Sequence, residues 1–101
     1  MIDLDPADLS MVKKILAEHV PHCEVRVFGS RSTQSAKTFS DLDLAIVCDA
    51  HMASAFLARI KDAFEASDLP IKVDVLDWWS ISPSFRDVID KRYVVLQGRS
   101  G

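Results

Sequence analysis

The chain has 101 residues, 49 % of them apolar, and a formal net charge of −3. That length and apolar content suit one domain with one modest core, expected to span residues 1–101. The Lys and Arg residues are scattered rather than gathered into a basic stripe, which argues against nucleic acid as the primary partner, and no apolar run is long enough to cross a membrane.

Asp5-Pro6-Ala7-Asp8 has the form of a helix start, with Asp5 as cap, Pro6 in the first turn and Asp8 at the positive end of the dipole. Leu9, Val12, Ile15, Leu16 and Val20 follow at helical spacing, and Pro21 ends the pattern. From Glu24 to Phe28 the chain alternates: Val25 and Val27 face one way, and Glu24, Arg26 and Phe28 the other, which predicts a short strand. Gly29 breaks it. Residues 31–37 are polar and suit a short helical turn before a loop. A second strand is predicted where Leu42, Leu44 and Ile46 alternate with Asp41, Asp43, Ala45 and Val47.

Asp49 is a candidate cap for the next helix, whose buried face is marked by Met52, Phe56, Ile60, Ala63 and Phe64. Leu69-Pro70 closes the following turn. Ile71, Val73 and Val75 then alternate with Lys72, Asp74 and Leu76, predicting a third strand. Ser82-Pro83 opens a last helix with the stripe Phe85, Val88 and Ile89. Tyr93 to Leu96 suits a fourth strand at the edge. The order predicts an α+β fold, a mixed sheet with helices packed on one face and the other face partly open.

The two cysteines, Cys23 and Cys48, lie far apart in sequence and flank apolar strands. They read as buried free thiols in a reducing compartment. The acidic start lacks the basic and apolar segments of a signal peptide, so a cytoplasmic chain is expected.

Function is concentrated in two short segments. Side chains alternate across a strand, so Asp41 and Asp43 share a face, opposite Leu42, Leu44 and Ile46. Two carboxylates that close repel one another when ionised, and Asp disfavours strand interiors. A cation answers both objections, and magnesium characteristically takes one or two carboxylates together with substrate phosphates. Asp74 lies on the open face of the third strand. If that strand neighbours the second, all three carboxylates meet and can hold two metal ions between an attacking and a leaving oxygen. Upstream, Gly29 permits close backbone approach to a phosphate, the Ser30 hydroxyl can bond phosphate oxygens, and Arg31 adds a planar cationic fork.

Other residues carry less. Asp77 follows Asp74 by three and is expected on the other face as a strand-end or turn residue. His19, His22 and Cys23 lack a suitably spaced fourth ligand for zinc. Lys37 is either solvated or a phosphate contact. Of Trp78 and Trp79, one ring is expected beside the third strand, and an exposed ring would mark an interface.

The run Gly29-Ser30-Arg31 through Ser40-Asp41-Leu42-Asp43-Leu44 resembles the signature of the DNA polymerase beta nucleotidyltransferase superfamily. The chain looks most like its short members, the minimal nucleotidyltransferases. The resemblance extends over the leading helix, the Val73-Asp74-Val75 strand and the Phe85 to Arg92 helix. It implies the superfamily's palm-like fold and transfer of a nucleoside monophosphate from a triphosphate to a hydroxyl, with two Mg2+ ions. Asp41, Asp43 and Asp74 would be catalytic metal ligands, with Asp74 also helping to deprotonate the hydroxyl. Gly29, Ser30 and Arg31 would bind the nucleotide. Many relatives have a second glycine shortly after the arginine, where this chain has Gln34 and Ser35.

Few residues are left over for holding an acceptor and no second domain is evident, so the acceptor is expected to be bound by, or to belong to, another protein. The resemblance implies a small helical HEPN partner, in a toxin–antitoxin pair, that receives AMP from ATP at a tyrosine. The alternatives are an antitoxin that acts by contact alone and a transferase acting on a small molecule.

Overall fold

In a computed structural model, residues 4–29 and 41–98 are described. Helix α1 spans Pro6–His19, and Asp5 caps it by accepting from the Ala7 N–H at 2.9 Å. Strand β1 is Glu24–Phe28, as the alternation predicts. Strand β2 is Leu42–Val47 and is followed by α2, Ser54–Glu65. Strand β3 is Val73–Asp77, later by two residues than the apolar alternation suggests, and a 3-10 turn, Trp78–Ser80, follows directly. Helix α3 is Pro83–Lys91, with the Ser82 hydroxyl accepting from the Phe85 N–H at 3.2 Å, and β4 is Val94–Gln97.

The four strands form one mixed sheet in the order β3-β2-β1-β4. Strand β1 runs antiparallel to both β2 and β4, while β2 and β3 are parallel. Parallel neighbours need a crossover, and α2 supplies it. This is the expected α+β fold with a mixed sheet and an edge position for β4.

Helices α1 and α2 share one face. Their Val12, Ile15, Leu16, Ile60 and Phe64 meet Val25, Val27, Leu42, Leu44, Ile46 and Val75 in the main core. Each large aliphatic side chain buried there contributes about 1.5–3 kcal/mol. Helix α3 lies over part of the opposite face instead. Its Ile89 packs with Ala45 and Trp78, edged by Phe28, Val47, Ile81 and Tyr93. Arg26 sits within this smaller cluster, 4.7 Å from the Trp78 ring centroid and 4.5 Å from that of Tyr93, and pairs with Glu24 and Asp90. The rest of that face, over β2 and β3, stays open.

Three local expectations are corrected. Cys23 and Cys48 are not free thiols but are joined in a disulfide; the β-ladder brings the ends of two strands together that sequence distance separates. Asp49 does not cap α2, whose N-cap is Ala53, with no side-chain capping bond. The buried Asp77 carboxylate instead accepts from the Met52 N–H just ahead of that helix, at 2.8 Å. In α3 only Ile89 is buried, because a nine-residue helix over one edge of a sheet has a narrow contact, and Val88 is 60 % exposed.

Candidate active site

The open face takes its shape from strand register. In the parallel pairing of β2 with β3, Asp43 stands opposite Asp74. Leu42 and Leu44, on either side of Asp43, point into the core with Val75. The same alternation that buries those side chains turns both carboxylates outward. Strand β2 is anchored at its start by the Leu42 N–H donating to the Lys72 carbonyl at 2.9 Å. Asp41 lies just before the strand and is exposed.

Burial raises the Asp43 pKa above its ordinary 3.8, and the charges of Asp74 and then Asp41 raise it further. Asp74 and Asp41 are therefore both close enough to act on Asp43. A charged group crowded by two like charges is costly unless a cation joins it.

Gly29 ends β1 with φ +77°, in the left-handed region. Phe28, its neighbour, pairs with Asp43 across the β1–β2 ladder. A side chain at Gly29 would put its Cβ 2.6 Å from Asp43 Oδ2. Glycine thus serves twice here, for the backbone angle and for the room it leaves a carboxylate. Ser30, Arg31 and Lys37 fall outside the described residues, as do Gln34 and Ser35.

A cleft of about 810 Å³ opens beside the carboxylates, lined by Phe28, Asp43, Lys61, Lys72, Asp74 and Phe85 among others. Because β3 is an edge strand, this cleft draws on α2 as well as on the open face. The Phe28 and Phe85 rings meet edge to face with centroids 5.9 Å apart and form an apolar wall. Lys72 Nζ lies 3.7 Å from Asp74 Oδ1. Both groups are well exposed, so the pair adds little stability, but it brings a cation to the cleft.

Sequence reasoning put Lys72 on the same face as Asp74 and gave it no role. The signal was their spacing of two in a strand. Lys61 had no comparable signal, since its place beside the cleft depends on how α2 packs. Asp77, as expected, lies on the other face, where it accepts from the Trp79 N–H at 3.1 Å and closes the 3-10 turn. Trp78 is buried, whereas Trp79 is 40 % exposed and its indole donates to the Cys48 carbonyl at 2.8 Å. His22 stands near Cys23 and Cys48 rather than in a cluster with His19.

The chain as a whole has counterparts among known proteins. The family model described as polymerase beta, nucleotidyltransferase matches residues 10–100. The chain is 46 % identical over 96 residues, 95 % of its length and 84 % of the relative's, to the Haemophilus influenzae protein named probable protein adenylyltransferase MntA. Among solved structures, a toxin–antitoxin with AMP-PNP matches with TM-score 0.76 and 22 % identity, over 91 % of this chain and 74 % of the other. A Shewanella oneidensis structure, tri-AMPylated HEPN toxin in complex with MNT antitoxin, matches with TM-score 0.69 and 20 % identity, over 91 % and 71 %. At these identities the structural likeness speaks for the fold. Among the described residues, no helix is long and apolar enough to cross a membrane.

Proposed function

The chain belongs to the polymerase beta nucleotidyltransferase family, and from that premise we propose that it transfers AMP from ATP to a tyrosine hydroxyl of a small helical HEPN-type toxin. The observation that carries this reading is the pairing of Asp43 with Asp74 beside Gly29, with Asp41 close enough to act on Asp43. The relative named as a protein adenylyltransferase, and the AMPylated HEPN toxin bound by a protein of the same fold, supply the class of acceptor.

The donor set fits magnesium. All three ligands are hard oxygens, and the crowding that raises the Asp43 pKa is what a bound cation relieves. We assign two ions to Asp41, Asp43 and Asp74; when bound, they supply positive charge to the triphosphate and to the attacking oxygen. In this reading Asp74 receives the proton that the acceptor hydroxyl loses. The hydroxyl oxygen forms a bond to the α-phosphorus, the bond from that phosphorus to the bridging oxygen breaks, and pyrophosphate leaves. Gly29 lets the backbone approach the phosphates, with Ser30 and Arg31 as their further contacts. Lys72 brings a positive charge to the cleft beside Asp74, and the Phe28–Phe85 wall gives the cleft an apolar side. An enzyme that spends ATP works where ATP is held, so we place it in the cytoplasm.

The test is to mix the chain with the partner toxin, ATP and Mg2+, and weigh the toxin by mass spectrometry. The expected result is one or more added AMP groups, absent with Asp43→Asn. Toxin neutralisation that survives the double change Asp41→Asn and Asp43→Asn without any mass change would overturn the reading in favour of inhibition by contact.

A further inference from the structure

The β1–β2 ladder runs from Phe28 opposite Asp43 to Glu24 opposite Val47. The next facing positions are Cys23 and Cys48, whose α-carbons are 4.6 Å apart. That is the spacing of directly opposed residues at a non-hydrogen-bonded site of an antiparallel pair, about 4.5 Å. The ladder itself therefore brings the two positions face to face. The two positions differ in access, since Cys23 is fully buried and Cys48 is partly exposed. A ring nitrogen of His22 lies within 4.8 Å of both sulfurs. The covalent loop they close, with a sequence separation of 25, holds Gly29, Asp41 and Asp43.

An ATP-consuming enzyme of the cytoplasm works among reduced thiols, where lasting disulfides are rare and those that occur are commonly transient or redox-sensing. Resting on the proposed function for that compartment, we propose that Cys23 and Cys48 form a reversible thiol–disulfide site. Low-molecular-weight disulfides close it, dithiols open it, and its state sets the stability of the fold. In closing, the Cys48 thiolate attacks a sulfur of the small disulfide, forming a mixed disulfide and releasing one small thiol. The Cys23 thiolate then attacks Cys48 Sγ and expels the second small thiol. Two protein thiols become one disulfide, one small disulfide becomes two thiols, and the two protons pass to the departing thiolates. The His22 imidazole is positioned to take up the first of these protons. A dithiol reverses both steps. Cys48 is the entry sulfur because Cys23 cannot be reached from solvent.

The clasp lies at the far end of β2 from the carboxylates. Cys48 follows Asp43 by five positions, about 16 Å at roughly 3.3 Å per residue. Its state thus changes how firmly the β1–β2 hairpin is held without touching the groups around the cleft.

The test equilibrates the folded chain alone in chelator-containing buffers of graded reduced and oxidised glutathione, then unfolds it in denaturant containing a maleimide, which traps the free thiols, buried Cys23 included, for counting by mass spectrometry. The folded protein is expected to pass from two labelled thiols to none and to recover both with dithiothreitol. The oxidised form is expected to melt on the order of 10 °C above the reduced form, and Cys48→Ser is expected to lose that dependence. Trp79, bonded to the Cys48 carbonyl, is expected to change fluorescence between the two states. Cys23→Ser is expected to collect one glutathione at Cys48, whereas folded Cys48→Ser collects none. The inference is overturned if the folded chain keeps its disulfide in excess dithiothreitol, keeps two free thiols in oxidised glutathione, or melts alike in both states. None of these measurements uses ATP or a partner, so they stand apart from success or failure of AMP transfer. In the transfer assay itself, well below either melting temperature, both redox states are expected to turn over alike.

Discussion

Gly29 and Asp43 occupy the same space in alternative ways: the Cβ that any other residue would place at position 29 falls 2.6 Å from Asp43 Oδ2. The carboxylate holds its place because the glycine has no side chain. Gly29→Ala adds that clash and also a side chain at φ +77°, a conformation that costs roughly 1–2 kcal/mol for a non-glycine residue. The variant is expected to lose at least about 1 kcal/mol of stability in urea titrations and most of its AMP transfer. Full transfer activity in a folded Gly29→Ala chain would show that Asp43 has room to work elsewhere.

Asp43 is expected to weaken the metal-free fold at neutral pH. Its pKa in the folded chain is raised above 3.8, chiefly by burial and then by Asp74 and Asp41. A carboxyl with a raised folded pKa gives its full stability below the unfolded pKa and loses it as pH rises through the folded value. Asp43→Asn removes that loss. In chelator, the variant should melt above the parent at pH 7, and the gap should close as pH falls through the raised folded value to the ordinary 3.8 of an unfolded carboxyl. The same variant is expected to lose AMP transfer by about a hundredfold or more. A variant that melts lower at pH 7 would contradict this account of the carboxylate cluster.

Magnesium is expected to reverse the parent's disadvantage. A cation held by Asp41, Asp43 and Asp74 in the folded state alone stabilises by about 2.7 kcal/mol at a hundred times its dissociation constant. Melting curves with increasing Mg2+ should rise for the parent and stay flat for the double change Asp43→Asn and Asp74→Asn. Equal rises in both would place the ion away from the carboxylates.

Asp77 is a separate case, a carboxylate 2 % exposed on the face away from the cleft. It accepts from the Met52 N–H, the Trp79 N–H and the Ser80 hydroxyl at 2.8, 3.1 and 3.2 Å. Asp77→Ala leaves the buried Met52 N–H and the part-buried Trp79 N–H without that acceptor, and the expected cost is about 2–4 kcal/mol in chemical denaturation. Catalysis should persist where the variant is folded, since Asp77 does not line the cleft. Loss of transfer without loss of stability would give Asp77 a role in the chemistry.

Much of the fold could be read directly from residue order. Asp5 and Ser82 announce helix starts through their own side chains, and the Glu24–Phe28 alternation marks a strand because burial on one face has a period of two. Asp43 and Asp74 were legible for the same reason, as polar residues at outward positions between inward aliphatics. The α2 start was not legible. Asp49 had the chemistry of a cap, but Ala53 holds the position and Asp77, distant in sequence, reaches the backbone just ahead of the helix. The α3 stripe was overread, because helical spacing shows which side chains share a face and not how much of that face a partner covers. Lys61 was missed because its place beside the cleft depends on how α2 packs against β3, which no local spacing encodes.

The sequence alone determined the local elements, the outward carboxylates and the glycine that follows β1, because each depends on a residue's own geometry or on a short period along the chain. Tertiary structure decided which of those pieces meet. Strand order put β3 beside β2, so that Asp74 faces Asp43 instead of standing at a remote edge. Strand order also brought Cys23 and Cys48 together at the other end of the β1–β2 pair. Both outcomes depend on register between strands, which is set by how whole apolar faces pack and is encoded by no single stretch of the chain.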